Sequence, residues 1–240
     1  MLLFYPAEFR PRVCHWGEVL DLVEVAKRPA DASGYYLWFD GRRLRLYRDQ
    51  DPRGVCLSAD DLAPRMTFAG ELARACGVTR VHRPHVVDAM AGLGIEGMTL
   101  AGLGCRVTLF ERLPALWALL DDFLTVNPRF GSELYCGDSR AWLDGRTNAC
   151  CDTLYLDPMF LPRSKKALPG KAMQYVRALV DELPRQANEL DLTACWIDRV
   201  ACVARERVVL KRRKNDVAIG DPAWQVRGRM IRFDVYRGTA

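Results

Sequence analysis

A short apolar run, His85-Val86-Val87-Asp88-Ala89, delivers the chain into Gly92-Leu93-Gly94-Ile95-Glu96-Gly97. Glycines at this spacing let a backbone turn tightly after a strand, approach a ligand closely and open a helix whose unpaired N–H groups face the loop. The sequence beyond repeats the strand-to-helix theme. Arg106 to Glu111 reads as a second strand, and Pro114 suits the first turn of a helix running to about Val126. Glu133 to Cys136 and Asp152 to Leu156 read as a third and fourth strand, and Arg207 to Lys211 as a fifth, after helical stretches at 171–183 and 186–204. Ala223 to Val226 and Met230 to Tyr236 close the chain as a hairpin around Arg227-Gly228. This alternation predicts a Rossmann-like α/β domain over residues 81–240, with a mostly parallel seven-stranded sheet and an antiparallel edge hairpin.

Residues 1–80 read differently. Tyr35 to Phe39 and Arg42 to Tyr47 flank Asp40-Gly41, a strong hairpin signal. Gly54 to Ser58 could add a third strand and 65–76 a helix, giving a small N-terminal α+β appendage.

With 240 residues, half of them hydrophobic, the chain can bury a large core. Its net charge of +5 is compatible with a polyanionic partner without demanding one. The nine cysteines form no C-x-x-C pair and the three histidines are scattered, so reduced thiols and no metal site are expected. There is no apolar run of membrane-spanning length and no signal peptide, which points to the cytoplasm. Nothing in the sequence indicates an oligomeric state.

Acids fall at the ends of successive strands. Asp88 closes the first strand beside Gly92 and Gly94, where a cationic ligand headgroup would be welcome and a pyrophosphate would not. Glu111 ends the second strand and can accept ribose hydroxyls, a feature shared by S-adenosylmethionine and NAD. Asp138-Ser139 follows the third, where an adenine amino group could be accepted. The fourth strand runs into Asp157-Pro158-Met159-Phe160. An aryl amine is a poor nucleophile because its lone pair is delocalised into the ring. The Asp157 carboxylate and Pro158 carbonyl can hold both its N–H bonds, aim the lone pair and stabilise the charge that grows on nitrogen. Phe160 can stack on an extruded or single-stranded base. An NAD-dependent oxidoreductase, a methyltransferase acting on DNA or protein, and a non-catalytic RNA-binding factor of the same shape remain open at this stage.

Five segments together carry a resemblance: Asp88 to Gly94, Cys105 to Arg112, Tyr155 to Phe160, Val208 to Lys211 and Arg232 to Tyr236. In this order and spacing they resemble the J-type 16S rRNA guanine-N2 methyltransferases, over about residues 84–240. The resemblance implies S-adenosylmethionine as methyl donor and a guanine amino group of 16S rRNA, or of the small ribosomal subunit, as acceptor. It implies cofactor contacts at Ile95, Glu96, Glu111, Arg112, Asp138, Ser139 and Asp157. The family usually carries Arg-Asp where this chain has Ile95-Glu96, and proline directly after the phenylalanine where this chain has Leu161-Pro162.

Arg163, Lys165, Lys166 and Lys171 follow the Asp-Pro-Met-Phe segment, and Lys211, Arg212 and Arg213 follow the fifth strand. Both groups are expected to leave the sheet at its ligand edge and to contact RNA phosphates. Arg42, Arg43, Arg45 and Arg48 form a second candidate surface.

Overall fold

The computed structural model describes residues 1–49, 51–158, 170–181 and 192–239. The large sheet is built from β5 (His85–Asp88), β6 (Arg106–Glu111), β7 (Glu133–Cys136), β8 (Cys151–Leu156), β9 (Ala204–Arg213), β10 (Trp224–Arg227) and β11 (Ile231–Arg237). Its order is β10-β11-β9-β8-β5-β6-β7. Strands β9, β8, β5, β6 and β7 run parallel, and β11 is antiparallel to both neighbours. This is the expected seven-stranded architecture with its antiparallel edge.

The sequence of these strands explains their burial. Val86 and Val87 point to opposite faces, yet both are buried, as are Leu154, Tyr155 and Leu156. A sheet covered on both sides needs continuous apolar strands rather than alternating ones. Over one face lie α3 (Ile95–Gly102) and α4 (Pro114–Val126), and α7 (Ala194–Val200) packs into the core of the other. α5 (Ser139–Asp144) follows β7, and α6 (Lys171–Asp181) precedes α7.

The N-terminal region holds a second sheet, β2 (Asp21–Glu24), β1 (Leu2–Tyr5), β3 (Tyr35–Phe39) and β4 (Leu44–Arg48), in that order. β1 is parallel to both of its neighbours, and the β3–β4 hairpin turns at Asp40-Gly41 as expected. A short helix α1 (Arg10–Val13) connects β1 to β2. Leu3, Leu37, Phe39, Leu44 and Leu46 join Leu116, Leu120 and Phe123 of α4 in one continuous core. Polar pins fix the contact: Asp122 of α4, 2% exposed, accepts from the Leu44 N–H at 3.0 Å and from Arg43 Nε at 3.2 Å. Arg43 is therefore turned inward rather than presented to a polyanion.

Several local expectations are corrected. The helix expected over 65–76 splits into a 3-10 turn, Ala63–Arg65, and α2 (Glu71–Ala75), because Gly70 in an extended conformation starts the helix anew. The expected strand at 54–58 reduces to a single bridge between Val55 and Leu46. β1, β2 and α5 were not anticipated. Among the described residues no helix is long and apolar enough to cross a membrane.

Candidate active site

All three loop glycines are sterically required, each for its own reason. Gly92 and Gly94 hold φ of +56° and +68°, a left-handed backbone that β-carbons disfavour. A Cβ on Gly94 would come within 2.3 Å of Leu120 Cδ2. One on Gly97 would meet Leu109 Cδ2 at 2.5 Å and Asp88 Oδ2 at 2.9 Å, so its lack of a side chain lets α3 lie directly on β5 and β6. At Gly92 nothing lies within 4 Å of the Cβ position, which leaves the loop open on its ligand side.

Glu111, 6% exposed at the end of β6, stabilises this loop. Its Oε2 accepts from the Gly92 N–H and its Oε1 from the Leu113 N–H, both at 2.7 Å. Burial pushes its carboxyl up to about 7, and the two N–H donors with Arg112 only partly offset this. Asp88 is more enclosed than its loop position suggested. It is 1% exposed, and its Oδ1 accepts from the Met90 N–H at 3.2 Å. Burial, with the charges of Glu96 and Asp157, drives its pKa well above the ordinary carboxylate range. Asp88 supports the turn from beneath.

The carboxylates that reach the cleft are Glu96 and Asp157, 22% and 21% exposed. Alternation along the strands explains the meeting. Tyr155 pairs with Val209, so two residues on, Asp157 stands level with Lys211 on the same face. Lys211 pairs in turn with Phe233 of β11. Lys211 Nζ lies 2.6 Å from Asp157 Oδ2 and 2.5 Å from Glu96 Oε1 on α3. Burial raises the Asp157 carboxyl to about 6, Lys211 pulling it down and Glu96 pushing it up. Burial works against the charged lysine, but the two carboxylates outweigh it and hold its pKa above the ordinary lysine range. Tyr155, fully buried just below, turns its hydroxyl toward Asp157 and helps to lower that carboxyl.

Lys211, expected to contact RNA phosphate, is here an inward bridge between the two acids, 15% exposed. Arg212 donates to the Val217 carbonyl at 2.8 Å, and Lys171 pairs with Asp51 and lies beside the Tyr175 ring. Arg213 is partly exposed. Ile95 opens α3 and lines an apolar crevice with Leu57, Leu62, Leu93, Met98 and Phe123, which suits an isoleucine better than a charged residue. Asp138 caps α5 through the Arg140 N–H at 2.9 Å, and Arg140 forks onto both its oxygens, with Nη2 at 2.8 Å from Oδ2. Burial raises its pKa, but the Arg140 bonds prevail and lower it. Ser139 is buried, and Arg112 is partly buried beside Glu111. Phe160, Arg163, Lys165 and Lys166 lie outside the described residues. Sequence reading missed Tyr155 and Arg140; an aromatic one register step before Asp157 and an arginine two residues after Asp138 were the available signals.

Open space at Gly92, a buried carboxylate at the end of β6 and two further carboxylates across the cleft fit a ligand with a cationic centre and hydroxyl groups. They do not fit a pyrophosphate.

Comparison with known proteins agrees. Residues 20–238 match the family model SAM_MT, described as SAM-dependent methyltransferase. The ribosomal RNA small subunit methyltransferase J of Marinobacter nauticus is 39% identical over 231 residues, covering 88% of this chain and 81% of its own. The protein of the same name from Pseudomonas aeruginosa is 40% identical over 248 residues, covering 90% and 91%. The crystal structure of a SAM-dependent methyltransferase from Neisseria gonorrhoeae superimposes with a TM-score of 0.71 at 26% identity, covering 99% of this chain and 96% of that one. Sequence, fold and cleft chemistry converge: the chain belongs to the SAM-dependent methyltransferase family and uses S-adenosylmethionine as its cofactor.

Proposed function

We propose that this methyltransferase acts on ribosomal RNA of the small subunit, and that the acceptor is the exocyclic N2 of a guanine. The observation that carries the reading is Asp157-Pro158 at the mouth of β8, with one carboxylate oxygen tied to Lys211 and the side chain still reaching the cleft. The names of the Marinobacter and Pseudomonas relatives support the RNA class.

S-adenosylmethionine supplies, when bound, an electrophilic methyl carbon on a sulfonium. The chain's own residues do the rest. Glu111 holds the Gly92 loop through Oε2 and its own following turn through Oε1, and its remaining lone pairs can accept ribose hydroxyls. Glu96 and Asp157 place negative charge where a cationic centre is stabilised, and Asp138 with Ser139 borders the adenine end. Asp157 Oδ1 and the Pro158 carbonyl accept the two N–H bonds of the acceptor amine, which turns its lone pair toward the donor and stabilises the positive charge growing on nitrogen. Once alkylated, that nitrogen is strongly acidic, and its proton can pass to Asp157 or to water. Arg212 and Arg213 beyond β9, Lys171, and the basic segment with Arg163, Lys165 and Lys166 are assigned to RNA phosphates, Phe160 to stacking, and residues 1–80 to further RNA contact. The site of action is the cytoplasm.

The test is incubation with a labelled donor and separate RNA, DNA and protein pools, followed by nucleoside analysis of any labelled RNA. N2-methylguanosine in small-subunit rRNA is the expected product. Label confined to DNA or protein, or carried by another base, would overturn the reading.

A further inference from the structure

Three acids converge on one ammonium. Lys211 bonds Asp157 and Glu96 at 2.6 and 2.5 Å, while Asp88 lies enclosed beneath them. Among the described residues no other cation bonds either of the two cleft carboxylates. Among the described residues, the buried Tyr155 hydroxyl on β8 faces the three acids with the Cys76 thiol nearby, and Phe233 on β11 is the register partner of Lys211. None of these can replace the lysine's charge. To serve a phosphate instead, Lys211 would have to abandon two short ion pairs and leave both acids uncompensated in a mostly buried cleft, which is strongly unfavourable.

We propose that Lys211 is a positioning residue for methyl transfer: it grips Asp157 Oδ2, keeps that carboxylate ionised and turns Oδ1 toward the acceptor amine, while Glu96 fixes the ammonium from the opposite side. This rests on the reading of Asp157 as the acceptor of the amine's N–H bonds. A protonated Asp157 would have one oxygen fewer to accept with, and a freely rotating one would lose the near-attack alignment of the lone pair. Glu96 has a share in the device because a lysine anchored at only one end could swing out toward the RNA.

The experiment compares the wild type with Lys211→Met, Lys211→Arg and Glu96→Gln. The carboxyl of Asp157 is titrated by 13C NMR in the donor-free protein, assigned by its loss in Asp157→Asn, and kcat and KM for RNA are measured against pH. In Lys211→Met the Asp157 midpoint moves up by about one pH unit or more, and the acidic limb of kcat moves with it. Near pH 5, below both midpoints, kcat falls about tenfold while KM for RNA changes little. Lys211→Arg retains the limb. In Glu96→Gln the midpoint falls, because a like charge is removed and the lysine serves Asp157 alone; this variant answers the question even if Lys211→Met does not fold. An Asp157 midpoint unmoved in either variant, or a Lys211→Met defect confined to KM and its salt dependence, overturns the assignment. A wild type that methylates no RNA would count against the proposed function, whereas the carboxyl titration still decides the role of Lys211.

Discussion

Two buried ion clusters stand on adjacent strands of the large sheet and obey opposite rules. On β11, Arg232 and Asp234 are 4% and 0% exposed and joined by two bonds, Nε to Oδ1 at 2.7 Å and Nη2 to Oδ2 at 3.0 Å. The remaining capacity is filled: Arg232 Nη1 donates to the carbonyls of Arg213, Lys214 and Asp216, and Gln225 donates to Asp234 Oδ1 at 2.8 Å. One cation meets one anion, and every guanidinium nitrogen has an acceptor. Lys211 on β9, which faces the other side of the sheet, instead meets two carboxylates directly with a third below, beside the buried Tyr155 hydroxyl. The β11 cluster is balanced; the Lys211 cluster carries surplus negative charge, as the proposed reception of a cationic ligand requires. The surplus lies at the carboxyl ends of the strands, where ligands of this fold class bind.

The largest effect that could break this comparison is on stability. Asp234→Ala leaves the Arg232 guanidinium buried without its counterion, which is expected to cost about 3–5 kcal/mol in urea unfolding. Replacing both residues by apolar ones of similar volume should restore most of the loss. If Asp234→Ala is nearly neutral, the β11 cluster is not the matched pair its geometry describes.

Asp157→Ala tests the other cluster. Methyl incorporation should fall by roughly 10²–10³-fold or more, through loss of an acceptor aimed at the developing charge. The thermal midpoint should hold or rise, because one of several crowded acids is gone. A variant that keeps more than half the activity, or one that fails mainly by unfolding, would make the front cluster structural like the back one.

This contrast was only half legible in the sequence. Strand order, the edge hairpin and the acids at the strand ends follow from the alternation of apolar runs with glycines and prolines, which local chemistry dictates. The orientation of Lys211 does not emerge from a run of four basic residues read as a surface patch. Strand parity held the missing information: Val209 and Lys211 must share a face, and Val209 is core. Asp138 was hidden in the same way, since Arg140 returns to it only once α5 forms. β1 and β2 are four residues each, half-exposed and paired across some 19 positions, so no local pattern marks them.

Glu111 is an intermediate case, a buried acid that holds the loop and to which a ligand role is proposed. The folded chain keeps its proton up to about pH 7, whereas an unperturbed carboxyl would lose it near 4.5. Its contribution to stability is therefore complete below pH 4.5 and is lost as the pH rises through 7. The displacement corresponds to roughly 3 kcal/mol. Glu111→Gln has no proton to lose, so the stability difference between wild type and variant should shift in the variant's favour by up to about that amount between pH 4.5 and 8, as read by urea midpoints. Donor affinity, measured by calorimetry at pH 8, should nonetheless weaken, because glutamine cannot accept at both positions. A stability difference that is flat across this range would mean that the Glu111 carboxylate is already ionised and paid for by its N–H donors.

The smallest expected effect concerns the rim. Arg213 ends β9 and Lys214 begins the turn after it, and they are partly exposed and exposed, where salt screens each charge. Replacing both by alanine should weaken RNA binding modestly and reduce the slope of log affinity against log salt by about 1–2, with kcat at saturating RNA unchanged. Lys211→Met makes the opposite prediction: a changed kcat and an unchanged salt slope. Two neighbouring segments of one strand would then separate cleanly into a charge that grips the substrate and a charge that tunes the chemistry. If both variants alter the salt slope alike, Lys211 belongs with the rim and the division between the balanced and the surplus cluster loses its functional meaning.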